Sequence, residues 1–152
     1  MTTAERAIPA RQKRLKIRWG RVVLGAVLSE VAVVLLLLGI TVAYSIAIAP
    51  GLTQAQYSAF AQLAGYYVAP TAGAISTFVI ALLFTRRLNS SFAANGTLMG
   101  IVSVLLTVGF AMSAKPEDQL MYGVAFVLRI AAGYLGGLTS LKLSRRRPQF
   151  SA

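Results

Sequence analysis

The amino-acid sequence predicts an all-α, polytopic membrane protein, a bundle of four transmembrane helices. Three observations lead there. Val22 to Ala49 holds one acidic or basic residue in 28, Glu30, and about 20 apolar residues suffice to cross a bilayer core. Charged residues make up only 12% of a chain that is 57% hydrophobic, against about 25% in a soluble domain. The charges also sit at the ends of apolar runs, where headgroups and the insertion machinery meet a membrane protein.

The elements follow in order. Residues 1–20 form a basic leader, with Arg6, Arg11, Lys13, Arg14, Lys16 and Arg18 around Leu15, Ile17 and Trp19. It reads as a surface helix on anionic lipid or, preferred here, as a cytoplasmic flank with Trp19 in the interface belt. The transmembrane domain covers 21–143. Its first span is 21–49, stopped by Pro50-Gly51. The second is 55–85, closed by Arg86-Arg87, and the third is 92–113, closed by Lys115-Pro116. The fourth is 119–143, followed by a basic tail, 144–152, with Arg145, Arg146 and Arg147. Loops of a few residues make sequential spans antiparallel neighbours. Ala47-Ile48-Ala49 resembles a signal-peptide cleavage site. However, the run before it is about twice the usual 7–15 residues and contains Glu30, so a cleaved signal is set aside.

Thirteen of the fifteen basic residues fall on the side that carries the leader, the Arg86-Arg87 loop and the tail. The positive-inside rule therefore predicts a multi-pass protein of the cell (cytoplasmic) membrane with both termini cytoplasmic. Anionic lipid headgroups are the expected partners of that face. Nucleic acid is not expected, despite a net charge of +11, because the charge lies on no soluble surface. The absence of Cys and His removes disulfides, thiolate nucleophiles, haem axial His and the usual zinc ligands. No cofactor, metal or catalytic residue is expected.

A weak repeat is visible. Ala72-Gly73 with Arg86-Arg87 aligns on Ala132-Gly133 with Arg146-Arg147, and Leu24-Gly25 aligns on Met99-Gly100. Two duplicated helical hairpins or common membrane grammar would each produce it.

Each span has one face of small and polar residues, the kind through which helices approach closely in lipid. Ala26, Glu30, Thr41 and Ser45 share a side of the first span, with Tyr44 nearby; Gln62, Tyr66, Ala69, Gly73 and Ser76 share one of the second. A further row there joins Ala61, Gly65, Ala69, Gly73 and Thr77. The third carries Gly96, Gly100, Ser103 and Thr107; the fourth carries Tyr122, Arg129, Gly133, Gly136 and Ser140, with Gly133 and Gly137 in a GxxxG. Packing within the bundle is the plain reading, and a homo-oligomer interface is the other.

Glu30 and Arg129 are the acidic and basic residues well inside the spans. Each costs about 2.5–3.5 kcal/mol at a helix centre, which makes it a candidate for function. As a pair they face a difficulty. Glu30 lies nine residues inside Arg21, or roughly 13 Å deep, and Arg129 thirteen inside Lys142, or roughly 19 Å deep. Side chains lean toward the N-terminus of their own helix, so Glu30 leans inward and Arg129 outward. An alternative partner for Arg129 is the Tyr66 carbonyl, freed by Pro70, or the faces of Tyr66 or Tyr67. An unpaired Glu30 would be a protonatable carboxylate of the kind a proton-coupled carrier uses.

Leu24-Gly25-Ala26-Val27-Leu28-Ser29-Glu30-Val31 resembles the first-helix motif of the small multidrug resistance transporters. That likeness implies four helices and a first-helix Glu, here Glu30, that binds protons and cationic drugs. The longer chain, the basic leader, Arg129 and Trp19 at the membrane edge depart from that pattern. Asn95-Gly96-Thr97-Leu98-Met99-Gly100 and Gly133-Tyr134-Leu135-Gly136-Gly137 before Arg145 to Arg147 resemble the second half of uncharacterised small four-span bacterial membrane proteins. That likeness implies a fold and no activity. The function expected first is a non-catalytic membrane protein, such as a subunit or accessory of a membrane complex. The alternative is a small proton-coupled transporter or channel using Glu30 and Arg129. An intramembrane enzyme ranks last, for want of a paired acidic motif or a nucleophile elbow.

Overall fold

The computed structural model describes residues 16–88 and 90–145. Within them the chain is four helices: α1 (Trp19–Ala43, extended by a π-helical turn, Tyr44–Ile48), α2 (Gln54–Thr85), α3 (Phe92–Ser113) and α4 (Pro116–Arg145). All four are long and apolar enough to cross a membrane. The leader residues before Lys16, and Arg146 and Arg147 of the repeat, lie outside the described residues.

The helix ends have local causes. Thr53 and Gln56 form a reciprocal capping box at the start of α2, each satisfying a backbone N–H that the first turn leaves without a partner. Just before it, Gly51 has φ +84°, a left-handed turn that suits glycine. The Tyr57 hydroxyl donates to the Ala49 carbonyl at 2.8 Å and so ties this turn to α2. Tyr44 stacks on Phe60 with ring centres 3.7 Å apart, fastening the π turn to the same helix. α4 begins at Pro116, three residues ahead of the expected start. Proline suits a first helical position because it has no N–H to leave unsatisfied. α2 runs unbroken through Pro70.

Around the bundle the helices stand in the order α1, α2, α4, α3. The closest packing is α4 against α2 and α3, and α1 faces α4 across the interior. The first and fourth spans are thus diagonal, and so are the second and third, which corrects the expectation that every short loop joins adjacent spans: α4 inserts between α2 and α3, because its glycines let it lie closer to each than they lie to one another.

Residue size is distributed as expected for lipid rather than water. The fully buried side chains are mostly small or polar, including Ser29, Thr77, Asn95, Ser103 and Ser140, and the large aliphatic ones such as Val34, Leu35 and Leu105 point outward. Where the surroundings are as apolar as leucine, burying leucine gains little, and close approach with satisfied polar contacts decides packing.

One end of the bundle carries both described chain ends and the α2–α3 loop, and is called here the terminal end. The other, called the far end, carries the α1–α2 and α3–α4 loops. The terminal end is strapped by Asn95. Its side chain accepts from the Arg18 N–H at 2.9 Å and donates to the Lys16 carbonyl at 3.1 Å, pinning the chain before α1 onto α3.

A buried ion pair at the floor of a cavity

Arg129 on α4 and Glu30 on α1 form a salt bridge across the diagonal of the bundle. Arg129 Nη1 donates to Glu30 Oε1, and the Ser103 hydroxyl donates to the same oxygen. Nη1 also reaches Ser103 Oγ at 3.3 Å and Thr107 Oγ1 at 3.2 Å. The side chain of Arg129 is 7% exposed and that of Glu30 is 19% exposed. The hydroxyls of α3 share in holding these two charges, which lowers their cost in a medium of low dielectric.

Two glycines make the space. A Cβ on Gly73 would stand 2.6 Å from Arg129 Nε, so the guanidinium occupies the place of a side chain on α2. A Cβ on Gly100 would stand 2.7 Å from the Arg129 carbonyl, so α3 and α4 touch backbone to backbone there. Below this level Gly96 and Gly133 abut each other, Gly136 fits against Phe78 and Gly137 against Phe92.

The expected lean of Arg129 is borne out. Its backbone lies on Gly100, and its guanidinium bonds to Ser103 and Thr107, three and seven residues farther toward the far end. The depth expected for Glu30 is corrected. Its carboxylate meets the arginine at Ser103 and is not the shallower of the two groups. Counting inward from flanking basic residues misled because the helices overhang by different amounts. Gly137 already packs on Phe92, the first residue of α3, and α4 continues for two more turns to Arg145.

The tyrosine alternative is also corrected. Arg129 makes its hydrogen bonds to Glu30, Ser103 and Thr107, and Tyr66 packs edge-on against Tyr67 instead. A carboxylate adds an opposite formal charge to the hydrogen bond, which a carbonyl lacks. Thr41 and Ser45, predicted on the Glu30 face with Tyr44 nearby, make no hydrogen bond to the ion pair. Thr41 and Ser45 bond carbonyls of their own helix, and Tyr44 takes Phe60. Gly65, expected at a packing face, has nothing within 4 Å of a Cβ placed on it.

Gly65 instead lines a cavity of about 670 Å³ that runs from the α3–α4 turn to the ion pair. Lys115, Asp118 and Gln62 stand around its mouth, and its walls include Val33, Leu37, Tyr66, Pro70, Met121, Tyr122 and Phe126. Glu30, Thr107 and Arg129 line its deep end. Sequence reasoning marked the polar residues and Pro70 but missed Val33, Leu37, Met121 and Phe126. No signal separates such residues from lipid-facing ones, because both are apolar. It also missed the buried contact between Ser29 and Thr77, 2.9 Å, for which two hydroxyls in apolar helices were the available sign.

The chain matches no protein-family model, no curated protein and no solved structure in these comparisons.

Proposed function

We propose that this is a small, non-catalytic protein of the cytoplasmic membrane with both termini in the cytoplasm, working as a subunit or accessory of a membrane complex. In this reading the Glu30–Arg129 pair fixes which helices face each other. The observation that supports it is the reach of the pair. One salt bridge, shared with hydroxyls of α3, joins the two helices that otherwise stand apart across the bundle. The sense of insertion rests on the basic residues at the terminal end. The test compares E30Q, R129Q and the double variant by folded yield and detergent unfolding. Removing one partner of a buried pair costs about 3–5 kcal/mol, and neutralising both is far milder. Each single variant should lose folded protein, and the double should recover most of it. Single variants as stable as the parent would sink this reading.

A second reading, a small proton-coupled transporter or channel using Glu30 and Arg129, is favoured by one observation. The cavity from the far end stops on this pair. For that reading, E30Q should fold normally and lose proton-coupled uptake in vesicles.

A further inference from the structure

Glu30 and Arg129 satisfy each other through one atom apiece. Glu30 Oε1 receives both Ser103 and Arg129, and all three hydrogen bonds of the guanidinium leave from Nη1. Glu30 Oε2 and Arg129 Nη2 make no hydrogen bond, and Arg129 Nε is buried without one. Nε is packed against Gly73, so the cavity floor offers a spare acceptor, Glu30 Oε2, beside a spare donor, Arg129 Nη2.

Charge narrows what suits such a floor. Glu30 and Arg129 cancel at the floor. A lone cation on Oε2 would be held against Arg129, and a lone anion on the guanidinium against Glu30. Water-poor surroundings strengthen both repulsions. A molecule with an ammonium and a carboxylate on neighbouring atoms meets an opposite charge at each.

The walls supply the rest of the fit. Tyr66, Tyr122 and Phe126, with Val33, Leu37 and Met121, give a mainly apolar and aromatic surface above the floor. Small-molecule sites have this composition, with a few convergent polar groups. The volume of about 670 Å³ lies within the roughly 300–1,000 Å³ common for them.

We propose that this cavity binds a zwitterion of the α-amino-acid type with a bulky apolar side chain. Its ammonium sits on Glu30 Oε2, its carboxylate on the guanidinium of Arg129, and its side chain between Tyr66, Tyr122 and Phe126. The proposal uses the site of the transporter reading and names its class of solute, yet it requires binding and no translocation.

The experiment is calorimetric titration of the full chain in lipid nanodiscs with three probes sharing one indole body. Tryptophan carries both charges, tryptamine the ammonium alone and indole-3-propionate the carboxylate alone. Tryptophan should bind, and each singly charged probe should bind roughly ten- to a hundredfold more weakly, the loss of a hydrogen bond to a charged group. Gly65→Leu tests the place. A Cβ at Gly65 meets nothing within 4 Å, so the variant should melt at or above the parent temperature while losing tryptophan binding. Tryptamine or indole-3-propionate binding as tightly as tryptophan would overturn the proposal. So would the absence of tryptophan binding, or binding that survives Gly65→Leu. Failure of proton-coupled uptake with tryptophan binding intact would remove the transporter reading and leave this one standing.

Discussion

Toward the terminal end, Cβ atoms added at Gly96, Gly100, Gly133, Gly136 and Gly137 would all stand within 2.7 Å of another helix's backbone. Toward the far end, Cβ atoms at Gly39, Gly65, Gly109 and Gly123 would meet nothing within 4 Å. Gly39, Gly109 and Gly123 are exposed on the outer surface, as is Gly20 at the terminal end, and Gly65 is the one of these that lines the cavity. Near the terminal end the closely packed glycines let α4 lie against α2 and α3 with backbones touching. Toward the far end lies the cavity. The ion pair stands at the boundary, with Gly73 and Gly100 around Arg129 and open space above it. Where backbones touch there is no room for water or ligand, so the space that ends on the ion pair does not continue toward the terminal end.

This contrast can be broken by substitution. The largest effect is expected at the tightest contact. Gly96→Ala places a methyl 2.3 Å from the Gly133 carbonyl oxygen, and backbone cannot swing aside as a side chain can. Overpacking of this kind costs typically 1–3 kcal/mol, and the upper end, about 3 kcal/mol, is expected here in detergent unfolding. Gly25→Ala is a milder control, since the nearest atoms are the flexible end of Met99. A Gly96→Ala protein no less stable than Gly25→Ala would mean that the terminal half is not held by backbone contact.

A middle-sized effect is expected at Ser29, whose hydroxyl shares a hydrogen bond with Thr77 in full burial. Such bonds between membrane helices average about 0.6 kcal/mol and reach about 1.7. Ser29→Ala should lower the unfolding free energy within that range, and adding Thr77→Val should cost little more, because the orphaned hydroxyl goes too. Additive losses in the double variant would show that the two hydroxyls are not coupled.

The smallest effect, and one of opposite sign, is expected in the far half. Gly123→Ala adds a methyl in open space to a helix interior, where glycine costs about 0.5–1 kcal/mol relative to alanine. The melting temperature should stay level or rise slightly. A loss as large as that of Gly96→Ala would show that the far half is packed by a second molecule and not by this chain alone.

The four helices, their order and their approximate ends could be read directly from the residues, because apolar runs and the breaks between them are local features. Phe92–Ser113 matches the expected third span end for end, and α4 departs from expectation where Pro116 begins the helix. Glu30 and Arg129 also stood out unaided, since a charge inside an apolar run is costly wherever it points. Gly96, Gly100, Ser103 and Thr107 were placed correctly on one face by helical spacing alone, and the structure turns that face to α4.

What helical spacing could not supply was the relation between helices. Whether Glu30 meets Arg129 depends on which helices are diagonal and how far each overhangs its neighbours. Those are properties of the packed bundle, set by where backbones can touch. The cavity is of the same kind. Val33, Leu37, Met121 and Phe126 have nothing in their chemistry to separate them from residues facing lipid. They line a cavity because of where the packed helices turn them. Composition and periodicity determined that this chain crosses a membrane four times with two charges inside it. Tertiary packing alone decided that the charges meet, and that open space ends on them.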